Sequence, residues 1–245
     1  MTTSGSTRVR RWGPGAARSL WRLRLRCALA ALLLALRPGA SRGEAPAPPA
    51  QVCFTYDNAR EQPARYVILV REDGVGSYSA EAGAAPQPNS SDPFPPGGEN
   101  RRIVVPESLL ERIFFLTRRS GYFATPCDGG GRGIAFQGLK TLSYRGPDGN
   151  GLCTYNWTKS KQIDELTSDF QAMALTLEEG RKMELEYRHT PLRLDGELDF
   201  LRKAVLQGDA LDIANIAPLL RRIAGDESIL DRDRRWAGEI LASGK

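Results

Sequence analysis

Residues 65–81 read RYVILVREDGVGSYSAE, and the way they pair decides the fold. Arg65–Arg71 is an apolar, β-branched run. Glu72-Asp73-Gly74 is a turn, and Val75–Glu81 alternates as its partner strand. Branched side chains suit a pleated, half-buried surface, and glycine supplies the backbone freedom a tight turn needs, so the stretch predicts a β-hairpin.

Downstream, residues 82–100, AGAAPQPNSSDPFPPGGEN, are rich in Pro, Gly, Ser and Asn and read as a surface loop. Asn89-Ser90-Ser91 within it matches a glycosylation acceptor triplet. Arg101–Val105 adds a strand, and Pro106 opens a helix over 106–119. Leu109, Leu110, Ile113, Phe114 and Leu116 give that helix one apolar face. Arg118, Arg119 and Gly121 suit its C-terminal end.

Residues 127–153, CDGGGRGIAFQGLKTLSYRGPDGNGLC, read as an antiparallel meander. Ile134 and Phe136 share one face of a first strand. Leu142 and Tyr144 share a face of a second, and Cys153, Tyr155 and Trp157 alternate on a third. The period then changes. Ile163, Leu166, Phe170, Met173 and Leu177 step by three and four, a helix that starts at a Ser160 N-cap and runs to about residue 187. Pro191 ends it, and helices follow over about 194–207, 211–224 and 229–242. The predicted fold is α+β: a small antiparallel sheet with one packed helix, residues 65–158, then a C-terminal helical region, residues 159–245.

Upstream, the charge is unevenly placed. The chain carries a formal charge of +5, yet nine of its 34 basic residues and none of its 29 acidic ones fall in residues 1–43. The remainder is mildly acidic, so the body has no surplus of clustered basic charge for a phosphate backbone, which argues against a nucleic-acid partner. Residues 1–43 read as a signal peptide: a basic region meets the apolar core CALAALLLAL, residues 27–36, with small residues after it. That core is too short to span a bilayer, so no stable membrane span is expected after cleavage. Residues 44–64, which include APAPPA, read as a linker and lead-in segment. The expected location is exported, periplasmic or extracellular.

Once Cys27 leaves with the leader, Cys53, Cys127 and Cys153 remain, an odd number in an oxidising compartment. A Cys127–Cys153 disulfide would staple the base of the meander. Pairing of Cys53 with either of them is the alternative. If Cys53 is left over, it is a free thiol, either reactive or a small buried hydrophobe, or else one half of an intermolecular bridge. The glycine run 129–133 leads into Ile-Ala-Phe, not a helix, and lacks the Lys-Ser/Thr of a phosphate loop. Cys and His are too few and too scattered for a zinc set, so no metal and no cofactor is expected. His189 is the one histidine, at a predicted helix end, and no Gly-x-Ser-x-Gly occurs. Carboxylates are plentiful at Glu178, Glu179, Glu184, Glu186, Asp195, Glu197 and Asp199, where a solvated helix face competes with an acid/base pair. Tyr144, Tyr155 and Trp157 read either as sheet core or as a stacking platform for a carbohydrate or base.

Two resemblances add to this reading. Ile216–Leu241, IAPLLRRIAGDESILDRDRRWAGEIL, resembles one HEAT-like repeat: helix, Gly-Asp turn, helix. It implies helical pairing and a possible protein partner. The span from about 66 to 187, with GVGSYSAE, VPESLLERIF, SGYF and TYNW, resembles uncharacterised exported bacterial proteins, which implies the compartment and the α+β layout but no activity. The resulting expectation is a non-enzymatic binding or interaction module of the bacterial envelope, with no catalytic residue assigned. The alternatives are an exported hydrolase using a carboxylate pair and a thiol-active protein working through Cys53.

Overall fold

The structure is a computed structural model and describes residues 48–81, 99–130 and 133–244. The expected signal peptide with Cys27, and Asn89, lie outside the described residues. Six strands form one antiparallel sheet: β1 Gln51–Asp57, β2 Arg65–Arg71, β3 Val75–Glu81, β4 Glu99–Val104, β5 Leu139–Gly146 and β6 Gly149–Tyr155. Their order across the sheet is β4-β3-β2-β1-β5-β6. The hairpin of residues 65–81 is present, with Arg65 opposite Glu81 and Val70 opposite Gly76. Gly74 turns it at φ 79°, and the Asp73 carboxylate accepts from Val75 N–H at 3.1 Å.

Two expectations about strands need correction. Residues 44–64 are not merely a linker, because Gln51–Asp57 is a central strand, flanked by β2 and β5. Val52, Phe54 and Tyr56 alternate inward there, all nearly inaccessible. The meander has two strands instead of three. Residues 133–138 pair with no strand, since Gly133 and Gly138 at φ 87° and 90° interrupt the extended backbone, and Ile134 and Phe136 are exposed. The Asn156 side chain holds this stretch instead: Oδ1 accepts from Gln137 N–H at 2.7 Å and Nδ2 donates to Ala135 O at 3.1 Å.

Among the described residues five α-helices accompany the sheet: α1 Glu107–Arg119, α2 Lys161–His189, α3 Leu194–Gln207, α4 Ala217–Gly225 and α5 Asp231–Ser243. Ser160 caps α2 and accepts from Ile163 N–H. The helix expected from residue 211 starts later. Asp212 takes a left-handed φ of 65°, and a short 3-10 turn, Ile213–Asn215, precedes α4.

One face of the sheet is covered by α1 and the first half of α2. Phe54 of β1 stacks on Phe170 of α2 at 5.2 Å and 7°, and Ile68, Tyr78, Ile103, Ile113 and Leu166 fill the space around them. Burying each such side chain contributes roughly 1.5–3 kcal/mol. A second core gathers Met183 from the far half of α2 with Leu194, Leu198 and Leu201 of α3, Leu220 and Ile223 of α4, and Ile240 of α5. Gly180 lets Ile216 approach the α2 backbone, for a Cβ there would meet Ile216 Cγ2 at 2.4 Å. Helix α2 thus serves both cores. Its carboxylates tie it to its neighbours: Glu178, braced by Arg181 Nε at 2.9 Å on the same helix, accepts from Tyr78 Oη of β3 at 2.5 Å, and Asp169 accepts from Arg112 Nε of α1 at 2.7 Å.

The edge strand β4 is closed off by a side chain. Asn215 accepts from Val104 N–H at 3.0 Å and donates to Val104 O at 3.1 Å, taking the place a further strand would occupy. The other sheet face carries Cys53, Thr55, Val67, Leu69, Ser77, Thr141, Ser143 and Leu152, and no helix of the described residues packs on it.

Candidate functional site

At one end of the sheet, β1 ends, β5 begins and β6 ends, and the first turns of α2 pass beside them. A cleft of about 380 Å³ opens between these elements, lined by Tyr56, Glu61, Gln137, Lys140, Asn156, Trp157, Asp164 and Gln171, among others. The volume falls in the range of small-molecule sites, roughly 300–1,000 Å³.

Lys140 forms its floor. Strand periodicity puts it on the inward face with Leu142 and Tyr144, and it is 6 % exposed. Its Nζ donates to Asn156 O at 3.0 Å, Gln137 O at 3.1 Å and Gly138 O at 3.3 Å, and it lies 5.8 Å from the centre of the Tyr56 ring. Burial lowers its pKa, opposed by the charges of Glu61 and Asp164. Three carbonyl acceptors match the three N–H bonds of an ammonium, so the group is held charged and fully occupied. Tyr56 Oη donates to Gln137 O at 3.2 Å, and Asn58 Nδ2 donates to Tyr56 Oη at 3.3 Å and to Glu61 Oε1 at 2.8 Å. Gly138 is obligatory here, because a Cβ would strike the Tyr56 ring at 2.4 Å.

The rim is set by the disulfide. Cys127 and Cys153 are bonded, with Cα atoms 5.8 Å apart. The bond does not staple a hairpin, since Cys127 lies in irregular chain. It ties the stretch after α1 to β6. Two residues on, Gly129 N–H donates to Trp157 O at 2.7 Å, and Gly129 packs so closely on the indole that a Cβ would sit 2.3 Å from Trp157 Cε3. Trp157 is therefore held half-buried at the cleft mouth.

The aromatic residues singled out in the sequence separate. Tyr144 and Tyr155 belong to the sheet core, at 3 % and 2 % exposed; Tyr155 also backs the cleft wall, Trp157 stands half-buried at its mouth, and Tyr144 lies away from it. Cys53 is elsewhere, on the open sheet face, in a trough of about 620 Å³ with Gln51, Ser143, Arg145, Asn150 and Leu152. Burial pushes its thiol up, with hydrogen bonds to Thr55 and Ser143 acting the other way, which is the opposite of an activated thiolate. His189 is exposed at the end of α2.

The helix carboxylates are not a plain solvated face: Glu178, Glu179 and Glu186 are buried. Burial, then a hydrogen bond with Glu197, pushes Glu179 up to about 8, opposed by Lys182. Burial raises Asp212 to about 7, opposed by a 2.6 Å hydrogen bond from Asn215. Neither lines the cleft. Among the described residues no group of three or more His, Cys, Asp or Glu side chains is placed to hold a metal ion.

Sequence reasoning missed Lys140, Glu61, Asp164 and Gln171. The signal for Lys140 was present, since a lysine in phase with Leu142 and Tyr144 must be buried and needs acceptors. No protein-family model matches the sequence, and no curated protein matches it significantly.

Proposed function

We propose that this protein is an exported, non-enzymatic binding module of the bacterial envelope, and that the cleft beside Lys140 is its ligand site. The observation that supports this best is the state of Lys140. Lys140, the one amine among the described residues lining the cleft, has all three donors committed to backbone carbonyls, so it braces the walls and is not free to act as a nucleophile or base. The Cys127–Cys153 bond is compatible with an oxidising compartment, and no helix of the described residues is long and apolar enough to cross a membrane.

The alternative, a hydrolase with a carboxylate pair, draws support from Glu61 and Asp164 both lining the cleft. Against it, the carboxyls whose protons burial retains, Glu179 and Asp212, lie outside the cleft, where they cannot serve as its general acid. A small-molecule fragment screen on the ¹⁵N-labelled full chain tests the binding reading. Hits should shift Gln137, Lys140, Trp157 and Gln171 together. Shifts confined to the open sheet face would refute the assignment of the cleft. Turnover of any ester, amide or glycoside that Asp164→Asn abolishes would establish the hydrolase.

A further inference from the structure

Resting on the binding reading, we infer that the cleft takes a neutral saccharide. The argument begins with charge. Glu61 and Asp164 line the cleft, so an anionic ligand meets two carboxylates. Lys140 lies in the floor as an ammonium, so a cationic ligand meets a like charge there. Both signs are present at close quarters, and a neutral ligand avoids either conflict.

The free hydrogen-bonding capacity points the same way. Among the described residues, Gln171 has no side-chain hydrogen bond, and its amide offers both donors and an acceptor. Asp164 makes no side-chain hydrogen bond there either, and Glu61 has used one oxygen, on Asn58. Ser168 donates to Asp164 O and keeps its acceptor lone pairs. These are mostly acceptors, on exposed and half-exposed side chains, with a donor among them. Hydroxyl groups supply the missing donors and can also accept from Gln171.

The third feature is Trp157. The indole is braced by Gly129 and lines the same cleft as those polar groups. A pyranose is apolar across its C–H face and polar around its rim. An aromatic plate beside a rank of carboxylate, amide and hydroxyl groups complements both parts at once.

The test titrates the oxidised full chain with cellotetraose, maltotetraose and the β-1,4-linked tetramer of N-acetylglucosamine. Spermidine and citrate serve as cationic and anionic comparators. The readouts are calorimetry and the resonances of the Trp157 indole N–H and Gln171 side-chain amide. At least one saccharide should shift both resonances and bind with measurable heat. Gln171→Ala, a change to a better helix former, should weaken that binding about tenfold. Trp157→Ala should weaken it at least as much, and Gln171→Ala keeps the test open if Trp157→Ala fails to fold. If no saccharide moves these resonances, the inference is overturned. If spermidine or citrate moves them instead, the cleft is still a ligand site and only the ligand class is wrong. Silence towards all five compounds, with fragment hits elsewhere on the molecule, overturns both readings together.

Discussion

Replacing Cys127 and Cys153 together by alanine removes the cross-link between the segment after α1 and strand β6. The two residues lie 26 apart in sequence. On the chain-entropy estimate, closing a loop of that length costs the unfolded chain about 3.5 kcal/mol of freedom at 25 °C, and this is what the variant loses. For a body of this size each kcal/mol is about 2–4 °C, so the melting temperature should fall by about 7–14 °C. Urea unfolding of the wild type with and without reductant gives the same comparison with both sulfurs in place. This matters because Cys127 and Cys153 are 6 % and 4 % exposed and truncating them also removes packing. Intact mass should rise by two hydrogens on reduction. Hydrogen exchange locates the effect. The Gly129 amide, which donates to Trp157 O, should lose protection in the reduced protein well before the amides of β1 do. If oxidised and reduced wild type differ by less than about 1 kcal/mol, the reasoning fails. The unfolded chain would then already be restricted there, or the cross-linked segment would be strained.

Three further outcomes are expected. With Asp212 raised from 3.8 to about 7, the folded state keeps a proton that the unfolded chain gives up, so this group's contribution falls as pH rises from about 4 to 7. Asp212→Asn should flatten that part of the stability–pH curve and stabilise by about 1–3 kcal/mol at pH 8, measured by urea unfolding; a curve unchanged in slope would count against the assignment. Asn215→Ala strips both hydrogen bonds from Val104 and should cost about 1–3 kcal/mol, with faster exchange of the Val104 amide as the direct check. Cys53 in the native protein should react with a thiol-specific disulfide reagent far more slowly at pH 8 than in urea, because burial raises its pKa; equal rates would reopen the thiol-active reading.

Local signals carried most of the fold. The hairpin, α1 and α2 announce themselves through β-branched runs, a proline at a helix start and a clean three-and-four spacing. Strand β1 is hard to read from sequence because its inward residues, Val52, Phe54 and Tyr56, follow directly on a proline-rich linker, and alternation across seven residues is a weak signal beside such composition. The supposed first strand of the meander failed for a reason visible only in three dimensions. Gly133 and Gly138 take left-handed φ values, and one asparagine side chain stands in for a neighbouring strand. Cysteine arithmetic brought Cys127 and Cys153 forward, but could not say that their bond would fix a tryptophan through Gly129. The cleft was illegible for the same reason. Its parts come from the β1–β2 turn, the start of β5, the end of β6 and the first turns of α2, and no spacing rule connects Glu61 to Gln171.

Helix α2 sets a limit on how this protein can be cut or recombined. Its 29 residues span about 44 Å, with Phe170 pressed into the sheet and Met183 into the bundle of α3, α4 and α5. A break anywhere between Lys161 and His189 leaves one hydrophobic interior without a wall. Residues 159–245 therefore do not make a module that can be shuffled onto another sheet, nor can the sheet be inherited without the helix that roofs it. Ancestral duplication, or a deliberate graft, has to carry the strands and the helical end as one piece.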